Sequence, residues 1–172
     1  ASGQNVTVTT SGAGSEAGDI SWSGNLSVAS MLGAQTLTLI ADRNVVFSGG
    51  SISTSGLLSL DVQAGRSGTG SVVALGLTVS SNGGVTMGGY AGAAAPGSGS
   101  QAGIRLENVD FSLSGDLTLR AANTAGFGGV ELLGGDFSVR RFSVDGKATT
   151  GKGIYVDAAQ VIAEESAVLR GE

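Results

Sequence analysis

The chain has 172 residues, of which 41% are hydrophobic and 13% are charged, and its formal net charge is −5. It contains no cysteine and no histidine, which excludes a disulfide scaffold and removes the commonest metal ligand and general base. The acidic balance without a basic cluster argues against a nucleic-acid partner, and no stretch reaches the roughly 18 apolar residues of a membrane span.

The first two predicted elements are a short strand and a first turn of coil. Residues Asn5 to Thr10 alternate in polarity, which predicts a strand, and a glycine-rich turn follows. The apolar residues of the next segment, Gly18 to Gly65, begin with Ile20, Trp22, Leu26, Val28, Leu37 and Leu39. We expect Trp22 to lie in the core, where its indole N–H needs an acceptor; the alternative is an exposed contact.

Five segments repeat one spacing of apolar residues, and the clearest of them runs from Gly103 to Ala121. Counted from Gly103 as zero, the apolar positions are 1, 3, 6, 8, 10, 14 and 16, occupied by Ile104, Leu106, Val109, Phe111, Leu113, Leu117 and Leu119. Each cluster alternates with a period of two, as in a strand with one face inward. The steps of three and four between clusters predict corners, so the segment is predicted to form one turn of a coil.

The other copies start at Asn44, Ser71, Gly129 and Gly153, so the residue number advances by 27, 32, 26 and 24 from each start to the next. A repeat of this length is typical of a solenoid. We therefore predict an all-β fold, a right-handed parallel β-helix of about five to six coils that forms a single unit over residues 1–172.

Two copies depart from the common spacing. The copy from Asn44 places Leu58 and Leu60 at positions 14 and 16, with Gly56 at the second corner, where Gly83 stands in the next copy. In the copy from Gly129, Phe142 comes one place early, which predicts that one corner is a residue shorter.

The longest linking segment, Gly88 to Ala102, is predicted to be a loop that projects between two coils. It contains the only proline of the chain and the aromatic Tyr90. A flexible bulge between coils is the favoured interpretation, and the alternative is that Tyr90, the candidate surface contact, binds a receptor or a glycan. Two N-glycosylation triplets start at Asn5 and Asn25, although chance supplies such triplets often in a chain rich in Ser and Thr.

One set of outward positions holds a candidate carboxylate pair. Asp110, Asp136 and Gln160 occupy the same place in their repeats and are predicted to form a column with the strand spacing of roughly 5 Å. Two carboxylates at that separation suit a retaining glycosidase or a shared cation. The alternative, a solvated pair, is favoured because only Glu107 is close by, so no catalytic residue, metal or cofactor is expected.

A family resemblance is found in three sequence segments between Gly18 and Gly65: GDISWSGNLSV, TLTLIADRNVVFSGGSISTSG and LLSLDVQAG. They resemble the repeats of secreted exoproteins of bacterial two-partner secretion systems, the filamentous haemagglutinin and high-molecular-weight adhesin family. The resemblance implies a β-helical segment of a long filament, exported through an outer-membrane transporter and either released or displayed outside the outer membrane. The family's amino-terminal secretion signature is not among these residues, which leaves both the secretion domain and the shaft as alternatives. Of the two, we prefer a piece of the shaft of a longer protein.

Three functions are compatible with the predicted coil. The first is the shaft of an adhesin that binds a host receptor, a glycan or itself; the second is a polysaccharide-cleaving lyase or hydrolase; the third is the stalk of a contact-dependent inhibition toxin. An enzyme requires a groove of clustered Asp, Lys and Arg on adjacent coils. Charges are sparse here: Arg140 and Arg141 are the only adjacent basic pair, and Arg105 and Glu131 are predicted to pair across strands. The adhesin interpretation is therefore preferred, and the chain is not expected to be an enzyme.

Overall fold

A computed structural model describes residues 4–10, 18–28, 33–66, 68–91, 102–123 and 128–172. Every regular element in these ranges is a strand, and none of the described residues forms a helix that could cross a membrane. The strands are β1 (Val6–Thr9), β2 (Ile20–Trp22), β3 (Asn25–Val28), β4 (Gln35–Ile40), β5 (Val45–Ser48), β6 (Ser51–Thr54), β7 (Leu58–Gln63), β8 (Val72–Leu75), β9 (Thr78–Ser81), β10 (Val85–Ala91), β11 (Ile104–Glu107), β12 (Asp110–Leu113), β13 (Leu117–Asn123), β14 (Gly128–Leu133), β15 (Asp136–Ala148), β16 (Lys152–Asp157) and β17 (Gln160–Gly171).

The strands stack in parallel as a β-solenoid. The first face is a six-stranded sheet in the order β16-β14-β11-β8-β5-β2, so the chain makes five full turns between β2 and β16. The second face holds β3, β6, β9, β12 and the first part of β15, and the third face holds β1, β4, β7, β10, β13 and the last part of β15. β17 pairs with β15 along both of these faces. The predicted all-β parallel β-helix of about five to six coils is confirmed.

The register of the first face reproduces the predicted repeat. Val45 pairs with Val72, Val72 with Ile104, Ile104 with Val130, and Val130 with Ile154. The offsets between the paired positions equal the predicted steps from each copy to the next. The strands of the first face therefore stay in register, and the variation in length lies in the corners and linking segments between strands.

The shortened corner is confirmed by two pairs on either side of it. Phe111 pairs with Phe137 before the corner, and Leu117 pairs with Phe142 after it, so the offset between the two coils falls by one at this point. The chain passes this corner without leaving the extended conformation, which is why β15 is a single strand of 13 residues. The pairing with β17 shifts at the same corner, between Val139 and Arg141.

The prediction for the copy from Asn44 was wrong in register. It set Leu58 opposite Val85, but the structure pairs Leu60 with Val85, two residues further on. A shift of two residues keeps the same side chains inward, so the apolar pattern did not discriminate between the registers. Gly56 consequently does not lie opposite Gly83, because the backbone of Leu58 takes that place.

The core is one continuous column of apolar side chains inside the coil. Its largest fully buried members are Phe47, Phe111, Phe137, Phe142, Leu39, Ile52, Leu77, Met87, Ile104, Leu106, Leu117 and Leu119. The rings of Phe111 and Phe137 stack on adjacent coils with centroids 5.7 Å apart, and Phe142 lies 5.9 Å from Phe137. The predicted inward residues of the Gly103 copy are all in the core.

Trp22 packs at the edge of this column. Its ring is half-buried against the core, 6.4 Å from that of Phe47. The indole N–H donates to the carbonyl of Gly24 at 3.1 Å, which supplies the expected acceptor. Trp22 thus belongs with the core rather than with an exposed contact surface.

A polar cluster ties the first three coils together at the third corner, where each coil passes to the next. Asp19 accepts hydrogen bonds from the Arg43 guanidinium at 2.8 and 2.6 Å and from the Asn44 backbone and side chain at 3.0 and 3.1 Å. The Asn44 side chain is buried, and its oxygen accepts from the backbone N–H of Ser71 at 3.0 Å. The cluster therefore supplies hydrogen-bond acceptors for the backbone N–H groups of Asn44 and Ser71, which lie outside the strands.

The first corner has two residues between its strands in six coils, and in five of these the first residue has a left-handed backbone. These residues are Gly49 (φ 77°), Gly76 (65°), Asn108 (51°), Gly134 (70°) and Ala158 (55°). Glycine adopts this conformation without a steric cost and asparagine tolerates it, whereas alanine does not. Ala158 is therefore the one member of this column whose residue type opposes its backbone.

We expect Ala158→Gly to stabilise the protein. Relief of the left-handed strain outweighs the extra freedom of glycine in the unfolded chain, for a net gain of about 1 kcal/mol. The melting temperature should rise by about 2–4 °C. Ala159→Gly is the matched control: Ala159 has no positive φ and packs against the core, so this variant should melt below the wild type. A lower melting temperature for Ala158→Gly would contradict the strain argument.

Candidate binding groove

Tyr90 lies in a strand and not in a projecting loop. β10 continues through Gly88, Gly89 and Tyr90 to Ala91 and pairs with β13 along its whole length. Ala102, the other end of the predicted loop, is buried. The prediction was therefore wrong for residues 88–91, which belong to β10, and residues 92–101 lie outside the described residues. The glycines suggested a loop, but Gly89 is a strand residue whose missing side chain leaves room for the carbonyl of Gly103.

The backbone of Tyr90 is fixed from two sides. β13 pairs with it on one side, and on the other an antiparallel bridge joins it to Gly70, whose N–H donates to the Tyr90 carbonyl. Gly70 in turn packs directly on the Arg43 carbonyl, which leaves no space for a side chain at that position. The Tyr90 side chain is 53% exposed, so an accessible aromatic ring stands on a fixed backbone.

Tyr90 forms part of a groove of about 380 Å³ on the third face. The charged and amide side chains that line it are Asp61, Gln63, Arg66, Arg120, Asp145 and Lys147. Its floor is formed by two small residues, Gly88 and Ala122. In register, Gly88 lies between Gln63 and Arg120, and Ala122 lies between Tyr90 and Lys147. Small residues flanked by long ones on adjacent strands leave the depression.

The cations of the groove differ in their ion pairing. Lys147 binds Glu172 at 2.8 Å; this hydrogen bond raises the pKa of Lys147 and lowers that of Glu172. Arg66 and Arg120 are exposed, and neither has an ion pair within the described ranges. Asp145 faces Arg120 in register without forming one. Two guanidinium groups in the groove therefore keep their hydrogen-bonding capacity.

The groove extends across the third face toward the second corner. Asp61, Gln63 and Thr86 also border a neighbouring hollow that reaches Asp116 and Arg140. Arg140 binds Asp116 at 2.8 Å, and this hydrogen bond holds the pKa of Asp116 below its usual range. A general acid needs the opposite shift, so Asp116 is poorly suited to donate a proton.

The two carboxylates within the groove are far apart. Asp61 is on β7 and Asp145 is on β15, which is three strands away. Three strand spacings amount to about 14 Å, whereas the carboxyl pairs of glycosidases are about 5–9.5 Å apart. This arrangement suits binding through hydrogen bonds better than cleavage of a glycosidic bond.

The predicted column of Asp110, Asp136 and Gln160 is confirmed in register. A carboxylate oxygen of Asp110 accepts the backbone N–H of Asp136 at 3.0 Å, so that carboxylate supports the next coil. Among the described residues, no group of three or more His, Cys, Asp and Glu side chains is placed to hold a metal ion.

The predicted cross-strand pair is also present, with one addition. Arg105 lies opposite Glu131 with a distance of 3.3 Å between the charged groups, and it binds Glu107 more closely, at 2.7 Å. This triad occupies the first face, away from the groove. The two asparagines of the glycosylation triplets are exposed, and each side-chain oxygen accepts a hydrogen bond from a neighbouring coil, Asn5 from Thr36 and Asn25 from Ser51.

Comparison of the chain with protein-family models, curated proteins and solved structures found no match. The resemblance to two-partner secretion exoproteins therefore remains a prediction from the sequence.

The sequence prediction located Tyr90 but missed the other residues of the groove. The apolar repeat ends at position 16, the last inward residue. Gly88 and Arg120 stand at position 17 of their copies, and Tyr90 and Ala122 at position 19. At these outward positions a glycine stands beside an arginine and an alanine beside an aromatic residue, which is the sequence signal for a recess.

Proposed function

We propose that this chain is a shaft segment of a large bacterial adhesin that two-partner secretion exports, and that it mediates cell adhesion or aggregation at the cell surface or after release. The observation that carries the proposal is the groove around Tyr90 on the side of a parallel β-solenoid. A coil stacked through continuous ladders is a rigid rod, and an accessible aromatic ring on its side is a typical contact residue.

Two further features support this proposal. The resemblance from Gly18 to Gly65 supplies the export route, through an outer-membrane transporter, and the location outside the outer membrane. The groove itself favours binding over catalysis, because Asp61 and Asp145 are too far apart for a two-carboxylate mechanism and Asp116 is held ionised by Arg140.

The proposal is tested by coating beads with the protein and measuring their adhesion to host cells and to one another. We expect Tyr90→Ala to reduce adhesion about tenfold, since loss of a central aromatic contact typically costs more than about 1 kcal/mol. The melting temperature should stay close to that of the wild type, because the Tyr90 ring is largely in solvent.

Tyr155→Ala is the matched control for this experiment. Tyr155 is the only other tyrosine of the chain; it lies on the first face, where its ring packs under the Lys152 ammonium at 4.1 Å. Adhesion should be unaffected by this change. The proposal would be overturned if beads coated with the wild-type protein bound neither cells nor each other. It would also be overturned if the protein shortened a polysaccharide on incubation.

A further inference from the structure

The second corner between β9 and β10 contains the only Asn-Gly sequence of the chain, at Asn82 and Gly83. Each of the other five asparagines is followed by valine, leucine or threonine. The backbone nitrogen of the following residue can attack an asparagine side-chain carbonyl, and a side chain on that residue obstructs the approach. Because glycine has no side chain, the sequence makes Asn82 the most reactive asparagine of the chain.

The side chain of Asn82 is exposed and is held between two other coils. Its Nδ2 donates a hydrogen bond to the Ser55 carbonyl at 2.8 Å, and its Oδ1 accepts one from the Ser114 hydroxyl at 3.2 Å. A hydrogen bond to a carbonyl oxygen stabilises the negative charge that develops there when a nucleophile attacks the carbon. The Ser114 hydroxyl therefore makes the side-chain carbonyl of Asn82 more electrophilic.

The attacking nitrogen belongs to Gly83 and lies between the two strands. Its N–H donates to the Ser81 hydroxyl at 3.0 Å, and that hydroxyl donates in turn to the Leu58 carbonyl. The acceptor of the N–H is a side chain, so the nitrogen is not tied into a strand ladder. Gly83 packs so closely on the Leu58 carbonyl that a side chain would not fit at this position. The corner therefore requires glycine directly after Asn82, and the packing itself retains the reactive sequence.

We propose that Asn82 is a site of spontaneous deamidation in the folded protein and that the Ser114 hydroxyl promotes the reaction. The Gly83 nitrogen attacks Cγ of Asn82, so an N–Cγ bond forms while the Cγ–Nδ2 bond breaks. The proton of the Gly83 amide leaves with Nδ2 as ammonia, and a succinimide remains. Water then opens the ring at either of its carbonyl groups and gives aspartate or isoaspartate. Water is the only co-reactant that the reaction needs.

The product changes the third face of the coil. A carboxylate at position 82 has no N–H to donate to the Ser55 carbonyl, and isoaspartate adds a methylene group to the main chain at the corner. The new charge lies in the hollow that Asp61, Asp116 and Arg140 also border, beside the groove. Deamidation thus adds a negative charge to this face as the protein ages. The reaction itself does not depend on the proposed function.

The test is peptide mapping by mass spectrometry while the folded protein is incubated in a mildly alkaline buffer. Replacement of the amide NH2 by OH should appear at Asn82 before any other asparagine, with release of ammonia. Ser114→Ala should slow the conversion about fivefold, the effect of losing one hydrogen bond. Ser114→Thr keeps the hydroxyl and should react like the wild type.

Ser112→Ala is the matched control for Ser114→Ala. Ser112 is exposed on β12, close to Ser114 in the chain, and its removal should leave the rate unchanged. Asn82→Gln should abolish the reaction at this site, because the longer side chain closes a ring far more slowly. The melting temperature of each variant shows that it is folded, so a changed rate is not the result of unfolding.

Unfolding in urea separates the effect of the fold from that of the local sequence. In urea the wild type and Ser114→Ala should convert at equal rates, because Ser114 meets Asn82 only in the folded coil. The proposal is overturned if Asn82 stays intact in the folded protein, if another asparagine reacts first, or if folded Ser114→Ala converts as fast as the wild type. Conversion in urea alone would show that the fold protects Asn82, which also overturns the proposal.

Discussion

Replacing Phe111 by Asp is expected to unfold the whole described coil. The Phe111 side chain is 1% exposed and is enclosed by Val79 and Phe137 on the adjacent coils. A buried carboxylate without a partner costs several kcal/mol, which is a large part of a total stability of about 5–15 kcal/mol. Because each coil is stabilised by its neighbours, the damage in a central coil should spread to both sides.

Circular dichroism and thermal melting measure this effect, and the neighbouring residue provides the control. Ser112 points outward from the same strand and is exposed, so Ser112→Asp should retain the β spectrum and melt near the wild type. If Phe111→Asp also kept the wild-type spectrum and melting temperature, the assignment of inward residues would be wrong.

Asp19→Asn is expected to lower the stability at neutral pH by about 2 kcal/mol, since it weakens several hydrogen bonds to a charged acceptor. The Asp19 side chain is 23% exposed, so solvent screens it only in part. The loss should be visible in urea unfolding as a lower midpoint with an unchanged slope.

The effect of this substitution should depend on pH. The hydrogen bond from Arg43 holds the pKa of Asp19 below its usual value, with further help from the Asn44 backbone and against the effect of burial. A lowered pKa in the folded state adds stability above the unfolded value of about 3.9, and this stability is lost as the pH falls through the folded pKa. The difference between wild type and Asp19→Asn should therefore shrink below about pH 4.

Asp116→Asn is the matched control for the Asp19 cluster. Arg140 also lowers the pKa of Asp116, but both side chains are more than a third exposed. No buried amide group takes part in their hydrogen bond. An exposed pair typically contributes less than about 1 kcal/mol. Equal losses in the two variants would show that the cluster adds nothing beyond an ordinary surface ion pair.

The inward residues of the coil could be predicted because their signal is local and repeated. Phe111 and Leu117 alternate with polar neighbours within one strand, and the same alternation recurs at a similar spacing in the other copies. Even the shortened corner before Phe142 was visible, since a change of one residue moves an alternating pattern to the other face. The stacked register of Asp110 and Asp136 followed from the same count.

The register of β7 and the extent of β10 required the tertiary structure. A slip of two residues between Leu58 and Leu60 leaves the apolar pattern unchanged, so only the fit of the neighbouring backbone selects one alternative. Gly88 and Gly89 have low strand propensity, but ladder hydrogen bonds on adjacent strands and the close approach of Gly103 override it.

The sequence by itself thus determined which side chains face the inside of the coil and that the chain coils, because a period of two is encoded in every strand. Only the tertiary structure decided the groove and the polar cluster. Tyr90 and Arg120 lie on adjacent strands, and Asp19 contacts Asn44 on the next coil. The number of residues between the members of each pair depends on linking segments of unequal length. Outward and corner positions carry no periodic burial signal, so their neighbours are fixed by the stacking of the coils alone.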